Sequence, residues 1–139
     1  MKLYETNEIR NIALLGHIGS GKTTLSEAML VISGTKEKIG NTLNGTTSSD
    51  YHKEEKEKHF SIRLSPLTME YQGHKYNILD YPGYEDFKGD IYSSIDIIDG
   101  AVLVIDGSSG IELGTINSWK LLEDNNIPRI IFINKMNKG

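Results

Sequence analysis

The stretch GHIGSGKT, residues 16–23, decides how this chain reads. It fits G-x-x-x-x-G-K-[ST], with Gly16, Gly21, Lys22 and Thr23 at the fixed positions. Each residue type has a physical task. Glycines let successive backbone N–H groups curl around phosphate oxygens, the lysine reaches β- and γ-phosphates, and the adjoining hydroxyl ligates Mg²⁺. Four fixed positions at usages of roughly 5–10% each coincide by accident about once in 10⁴ windows. The surroundings agree with the motif. Arg10–Leu15 (RNIALL) reads as a short buried strand, and Thr23–Ile32 places apolar residues at 25, 28, 29 and 32, the period of a helix. Strand, loop and helix is the context in which this motif binds phosphate. His17, Ile18, Gly19 and Ser20 fill the loop and Thr24 follows it, so all five join the candidate contacts. For the His17 side chain, local packing or capping is the simpler expectation.

Apolar runs and helical patterns alternate along the rest of the chain. The segment 33–60 is rich in Gly, Thr and Asn and ends in YHKEEKEKHF, which has no apolar face, so it is expected to be a long mobile loop. Ser61–Tyr71 and Lys75–Asp80 read as two strands of a hairpin turning at Gln72-Gly73-His74. Tyr84–Ile98 is expected to be helical, AVLVID at 101–106 a strand, Gly114–Asn125 a helix and Pro128–Asn134 a last apolar strand. The fold class implied is α/β: a phosphate-loop NTPase with a mostly parallel sheet, one antiparallel hairpin strand and helices on both faces.

Two further stretches carry chemistry. In YNILDYPG, Asp80 closes an apolar strand and precedes Pro82-Gly83, where phosphate-loop proteins keep the acid that holds Mg²⁺ through water. Gly83 has no side chain to block its N–H from a γ-phosphate. A second metal-binding hydroxyl is expected at Ser61, directly after the charged run, so Thr23, Ser61 and Asp80 form the candidate metal set. NKMN, residues 134–137, follows the last strand at the carboxyl end of the sheet. In N-K-x-D the aspartate accepts hydrogen bonds from N1–H and the exocyclic amine of guanine, and the lysine stem stacks on the base. Asn134 and Lys135 fit that pattern. Asn137 supplies one acceptor and one donor, so guanine loses about 1–3 kcal/mol of recognition and xanthine is matched better.

Bulk properties narrow the remaining possibilities. A chain of 139 residues is one ordinary domain, and a formal charge of −4 argues against autonomous nucleic-acid binding. The absence of cysteine removes disulfides and thiolate chemistry and fits a cytoplasmic location. MKLYETNEIR has no apolar leader core, and no run approaches eighteen apolar residues, so no membrane association is expected.

NIALLGHIGSGKTTLSEAML, GTTSSDYHKEEKEKHFSI, NILDYPGYEDF, DGAVLVIDGSSGIELGT and IPRIIFINKMN together resemble the GTPase domain of elongation factor G and its paralogues, including the tetracycline-resistance ribosomal protection proteins. The resemblance covers essentially the whole chain and is stronger to the elongation-factor-G-like paralogues than to the housekeeping factor. It implies a guanine nucleotide (GTP or GDP) with Mg²⁺, and hydrolysis stimulated by the ribosome in the full-length protein. Lys22 then has a catalytic role, and Tyr84 stands where the family places a water-positioning histidine. A phenol with an ordinary pKa near 10 still orients water, but offers no imidazolium at neutral pH. The family's R-G-I-T-I reads here as Lys58 to Ile62, with Ser61 at the switch threonine, and Gly19 stands at the family's loop aspartate. The resemblance further implies another strand and helix after NKMN, so residues 1–139 read as a truncated GTP-binding domain. The apolar run 129–134 would then lie at an open sheet edge and favour self-association.

Overall fold

In the computed structural model, residues 2–35, 65–83, 92 and 94–138 are described. Five strands, β1 (Ile9–Gly16), β2 (Ser65–Tyr71), β3 (His74–Asp80), β4 (Gly100–Asp106) and β5 (Arg129–Asn134), form one sheet ordered β2-β3-β1-β4-β5. β2 runs antiparallel to β3 and the other pairings are parallel. Helices α1 (Lys22–Ile32) and α2 (Leu113–Asp124) complete the α/β architecture expected from the sequence.

The two-residue period of β1 explains the layering. Ala13 and Leu15 join Leu103, Leu121 and Leu122 in the cluster beneath α2. Leu14 joins Leu30, Leu67 and Ile78 in the cluster beneath α1, with Ile12 and Met29 packed against it. A strand apolar on both faces is stable only between two covering layers, and β1 has both. The register also aligns the chemistry. Leu14 pairs with Asp80 on one side, and Gly16 with Val104 on the other, so the ends of β1, β3 and β4 meet at one rim of the sheet.

Several boundaries differ from the sequence expectations for local reasons. The hairpin turn is the two-residue pair Gln72-Gly73, with φ of 48° and 79°, and His74 already pairs with Tyr71. Two consecutive positive φ values match the right-handed twist of the flanking strands. The helix expected to run to Ile98 ends earlier, in a 3₁₀ turn at Ile95–Ile97, with Ile98 extended. There the Asn11 N–H donates to Asp99 Oδ2 at 2.7 Å and the Asp99 N–H donates to the Asn11 carbonyl at 2.9 Å, drawing the chain onto the sheet. Residues 61–64 of the expected first hairpin strand, 84–91 and 93 of the expected helix, and 36–60 of the expected loop lie outside the described residues.

β5 departs most from its composition. Its apolar run pairs only with β4, and Ile130, Ile131, Phe132 and Ile133 are all exposed, so β5 is an end strand of the described sheet. The contrast with β1 is testable. Leu14→Ala opens a cavity in a fully buried position and is expected to cost about 2–5 kcal/mol. Ile130→Ala, at a site 70% exposed, is expected to change stability by about 0.5 kcal/mol or less. Denaturant unfolding of the two variants checks the ranking, and equal losses would contradict the layering.

Candidate functional site

The site grows from the rim where β1 ends. β1 stops at Gly16, the chain loops through His17 to Ser20, and Gly21, at φ 102°, caps the N-terminus of α1. This is the strand, loop and helix order expected for GHIGSGKT. The Ser20 N–H donates to the His17 carbonyl at 3.1 Å and closes the loop on itself.

Lys22 occupies the centre of the loop. Its side chain is buried and its Nζ donates to the Gly16 and His17 carbonyls at 3.3 and 3.4 Å. Burial pushes its pKa below the ordinary lysine value, partly opposed by the nearby Asp80 carboxylate. Gly83 lies over the same point. A Cβ on Gly83 would stand 2.6 Å from the Ile18 N and Cα and 2.7 Å from Lys22 Nζ, so only glycine permits this approach. The result is a small cradle with backbone on two sides and an ammonium within it, the shape and charge that suit a phosphate group.

Thr23 and Asp80 lie beside Lys22. The Thr23 hydroxyl donates to Asp80 Oδ2 at 3.0 Å, although 57 residues separate the two, and both are buried. A hydroxyl and a carboxylate sharing one buried point next to a phosphate cradle are the hard oxygen donors that suit Mg²⁺. Thr23 and Asp80 therefore fit that ion. Ser61, the third expected metal contact, and Tyr84 lie outside the described residues.

NKMN docks on the loop from the other side. The Asn134 amide donates to the Ser20 carbonyl at 3.0 Å, and Lys135 Nζ donates to the Gly19 carbonyl at 2.5 Å. Lys135 also reaches Asp106 Oδ2 at 2.8 Å. Asn137 is exposed on the following turn, and Ile18, Gly19 and Thr24 are exposed around the loop.

Two connections were not foreseen from sequence. Asp106 closes β4 as Asp80 closes β3, and its Oδ1 accepts from the Ser108 N–H at 2.9 Å. The Lys135 hydrogen bond, followed by that of the Ser108 hydroxyl, holds its carboxyl well below the usual carboxylate range. The signal was present, since an acid ending an apolar strand before Gly-Ser-Ser repeats the placement of Asp80. His17 turns to α2, where its Nδ1 accepts the Gly114 N–H at 2.9 Å and its Nε2 lies 3.7 Å from Glu112 Oε1. The local packing role expected for its side chain is thus a contact across 97 residues of sequence.

This assembly defines a phosphate-loop nucleotide-binding domain. Residues 7–139 match the family model of the elongation factor Tu GTP binding domain, and the chain belongs to that family. It is 39% identical over 131 residues to elongation factor G of Granulibacter bethesdensis, covering 94% of this chain and 19% of that protein. It is also 39% identical over 133 residues to mitochondrial ribosome-releasing factor 2 of Drosophila ananassae, covering 96% of this chain and 18% of that protein. A crystal structure from Thermus thermophilus superposes with a TM-score of 0.88 at 39% identity, over 95% of this chain and 20% of that one. Elongation factor SelB of Methanococcus maripaludis, in complex with the GTP analogue GppNHp, superposes with a TM-score of 0.68 at 25% identity, over 94% of this chain and 23% of that one. The chain thus spans about one fifth of the length of the relatives it matches. Among the described residues, no helix is long and apolar enough to cross a membrane.

The buried ammonium yields a pH prediction for the ligand-free protein. Because the folded-state pKa of Lys22 is lowered, its charged form is disfavoured on folding, and that penalty is fully present below the folded pKa. It shrinks as pH rises from the folded pKa towards the unfolded value near 10.4. Lys22→Met is expected to unfold at a higher temperature than the parent at pH 7, with the advantage narrowing towards pH 10. Thermal unfolding across that range checks it, and a constant difference would point to another cause.

Proposed function

We propose that this chain is the nucleotide-binding switch domain of a translational GTPase, taking GTP and GDP with Mg²⁺ and hydrolysing GTP when the full-length protein meets the ribosome. The observation that carries the reading is the cradle itself: buried Lys22 beneath Gly83, beside the Thr23–Asp80 hydrogen bond. The negative net charge supports ribosome engagement through the full-length protein rather than through unspecific attraction to RNA by this domain. The cysteine-free composition supports a cytoplasmic setting.

In this reading the phosphate-loop N–H groups and Lys22 bind the β- and γ-phosphates, and Thr23, Asp80 and Ser61 hold the metal. The Gly83 N–H senses the γ-phosphate, and Asn134 and Lys135 serve the base. Bound Mg²⁺ supplies charge neutralisation on the β- and γ-phosphate oxygens. Tyr84 orients the water that forms the new bond to γ-phosphorus as the bond from that phosphorus to the β–γ bridging oxygen breaks. GDP and inorganic phosphate leave, and the proton from water passes to phosphate or solvent.

The substitution of tyrosine for the family's histidine favours a second reading, in which the domain binds and switches with little hydrolysis. Phosphate release from the full-length protein with and without ribosomes separates the two. Ribosome-stimulated release, reduced about 10²-fold or more by Lys22→Ala, is expected. Tyr84→His is expected to raise it about tenfold or more. Release at background with ribosomes present, while GTP still stabilises the protein, would leave only the switch.

The exposed run Ile130–Ile133 at the sheet edge also supports pairing between copies of this chain. Sedimentation of the chain should show concentration-dependent association, and a monodisperse monomer at high concentration would refute it.

A further inference from the structure

We infer that the base site is recoded at Asn137, so that it prefers a purine nucleotide with an oxo group at C2, xanthine in place of guanine. The inference rests on the phosphate- and nucleotide-binding part of the reading above and revises its preferred base from guanine to xanthine.

The turn that presents Asn137 is fixed on several sides. Asn134 is tied to the Ser20 carbonyl, and Lys135, at φ 58°, is tied to the Gly19 carbonyl and to Asp106. The Lys138 N–H closes the turn on the Lys135 carbonyl at 3.2 Å. Met136 packs where Gly107 has no side chain, since a Cβ there would lie 2.7 Å from the Met136 Sδ. Asn137 is therefore displayed from a braced turn beside the phosphate loop, with its side chain exposed.

Hydrogen-bond chemistry at that point discriminates at C2. A carboxylate accepts from both N1–H and the 2-amino group of guanine, whereas an amide accepts through Oδ1 and donates through Nδ2. Against guanine, the Nδ2 hydrogens meet those of the 2-amino group, leaving two donors opposed. Against xanthine, N1–H donates to Oδ1 and O2 accepts from Nδ2, so both pairs are made. Hypoxanthine keeps N1–H and carries no substituent at C2, so it avoids the opposition without gaining the second bond. A site built to use both groups rejects a base that mismatches one of them.

The adjoining acid does not supply the missing acceptor. Asp106 Oδ1 accepts from the Ser108 N–H at 2.9 Å and the Ser108 hydroxyl at 2.5 Å, and its Oδ2 is taken by Lys135. Turning that carboxylate towards a base would release Lys135, which also braces the turn through Gly19.

The test is competitive binding of guanosine, inosine, xanthosine and adenosine diphosphates to the full-length protein with Mg²⁺. The expected order is xanthosine, then inosine, then guanosine, with xanthosine diphosphate about tenfold or more tighter than guanosine diphosphate. Asn137→Asp should invert that order. Guanosine diphosphate binding as tightly as xanthosine diphosphate, or more tightly, to the parent protein would overturn the recoding and leave the proposed function standing. Failure to bind any of these nucleotides, or preference for adenosine diphosphate, would overturn both.

Discussion

One ammonium group, withdrawn from water at the end of β1, sets the terms for everything around it. Lys22 is buried on the first turn of α1, and its Nζ donates to the carbonyls of Gly16 and His17 in its own loop at 3.3 and 3.4 Å. Burying a charge is costly unless it is paired, and carbonyl dipoles meet that need less fully than an anion. The Asp80 carboxylate favours the charged form from nearby, while Gly83 approaches closely enough that any side chain there would collide with the Ile18 backbone. This geometry thus holds a cation in a space shaped by backbone.

That arrangement depends on β1 being apolar on both faces. Its alternation commits Ala13 and Leu15 to the layer under α2, and Ile12 and Leu14 to the layer under α1. With both faces covered, its parallel neighbours end at the same rim, which is where open α/β sheets bind ligands. Asp80 ends β3, Asp106 ends β4 and Asn134 ends β5, all on the rim where β1 gives way to the phosphate loop. Residues far apart in sequence become neighbours because strand ends coincide, and Thr23 meets Asp80 across 57 positions for that reason.

The legible and illegible parts of the site divide along the same physical line. GHIGSGKT was readable because a phosphate cradle imposes its demands over consecutive residues, where sterics and spacing are visible in the sequence. Asp80 and NKMN were readable because each follows an apolar strand at the expected end. The ties of His17 to Gly114, and of Lys135 to Asp106, join separate elements across 97 and 29 positions, and no local pattern encodes them. β5 shows the limit of hydropathy. RIIFIN has the composition of a central strand, and its end position, with its apolar residues exposed, was expected from the family resemblance and not from hydropathy. The early end of the expected helix before Ile98 also lies beyond local patterns, since the bonds between Asn11 and Asp99 couple segments that periodicity treats as independent.

The family residues are retained at Gly16, Gly21 and Gly83, which act through backbone shape, and at Lys22, Thr23, Asp80, Asn134 and Lys135, whose side chains are tied into the site. The positions that differ from the family pattern are Gly19, Ser61, Tyr84 and Asn137. Of these, Gly19 is the most informative in the structure, because its carbonyl, rather than any side chain, receives Lys135 at 2.5 Å. The brace between the phosphate loop and the NKMN turn is therefore accepted by main-chain oxygens, Gly19 for Lys135 and Ser20 for Asn134, and needs no side chain at position 19. In the proposed base site Asn137 would have no such substitute, since reading a base depends on what the side chain donates and accepts. On the proposed base assignment, phosphate capture and base choice are separable in this fold: the first rests on backbone that tolerates few residues, while the second would follow a single amide.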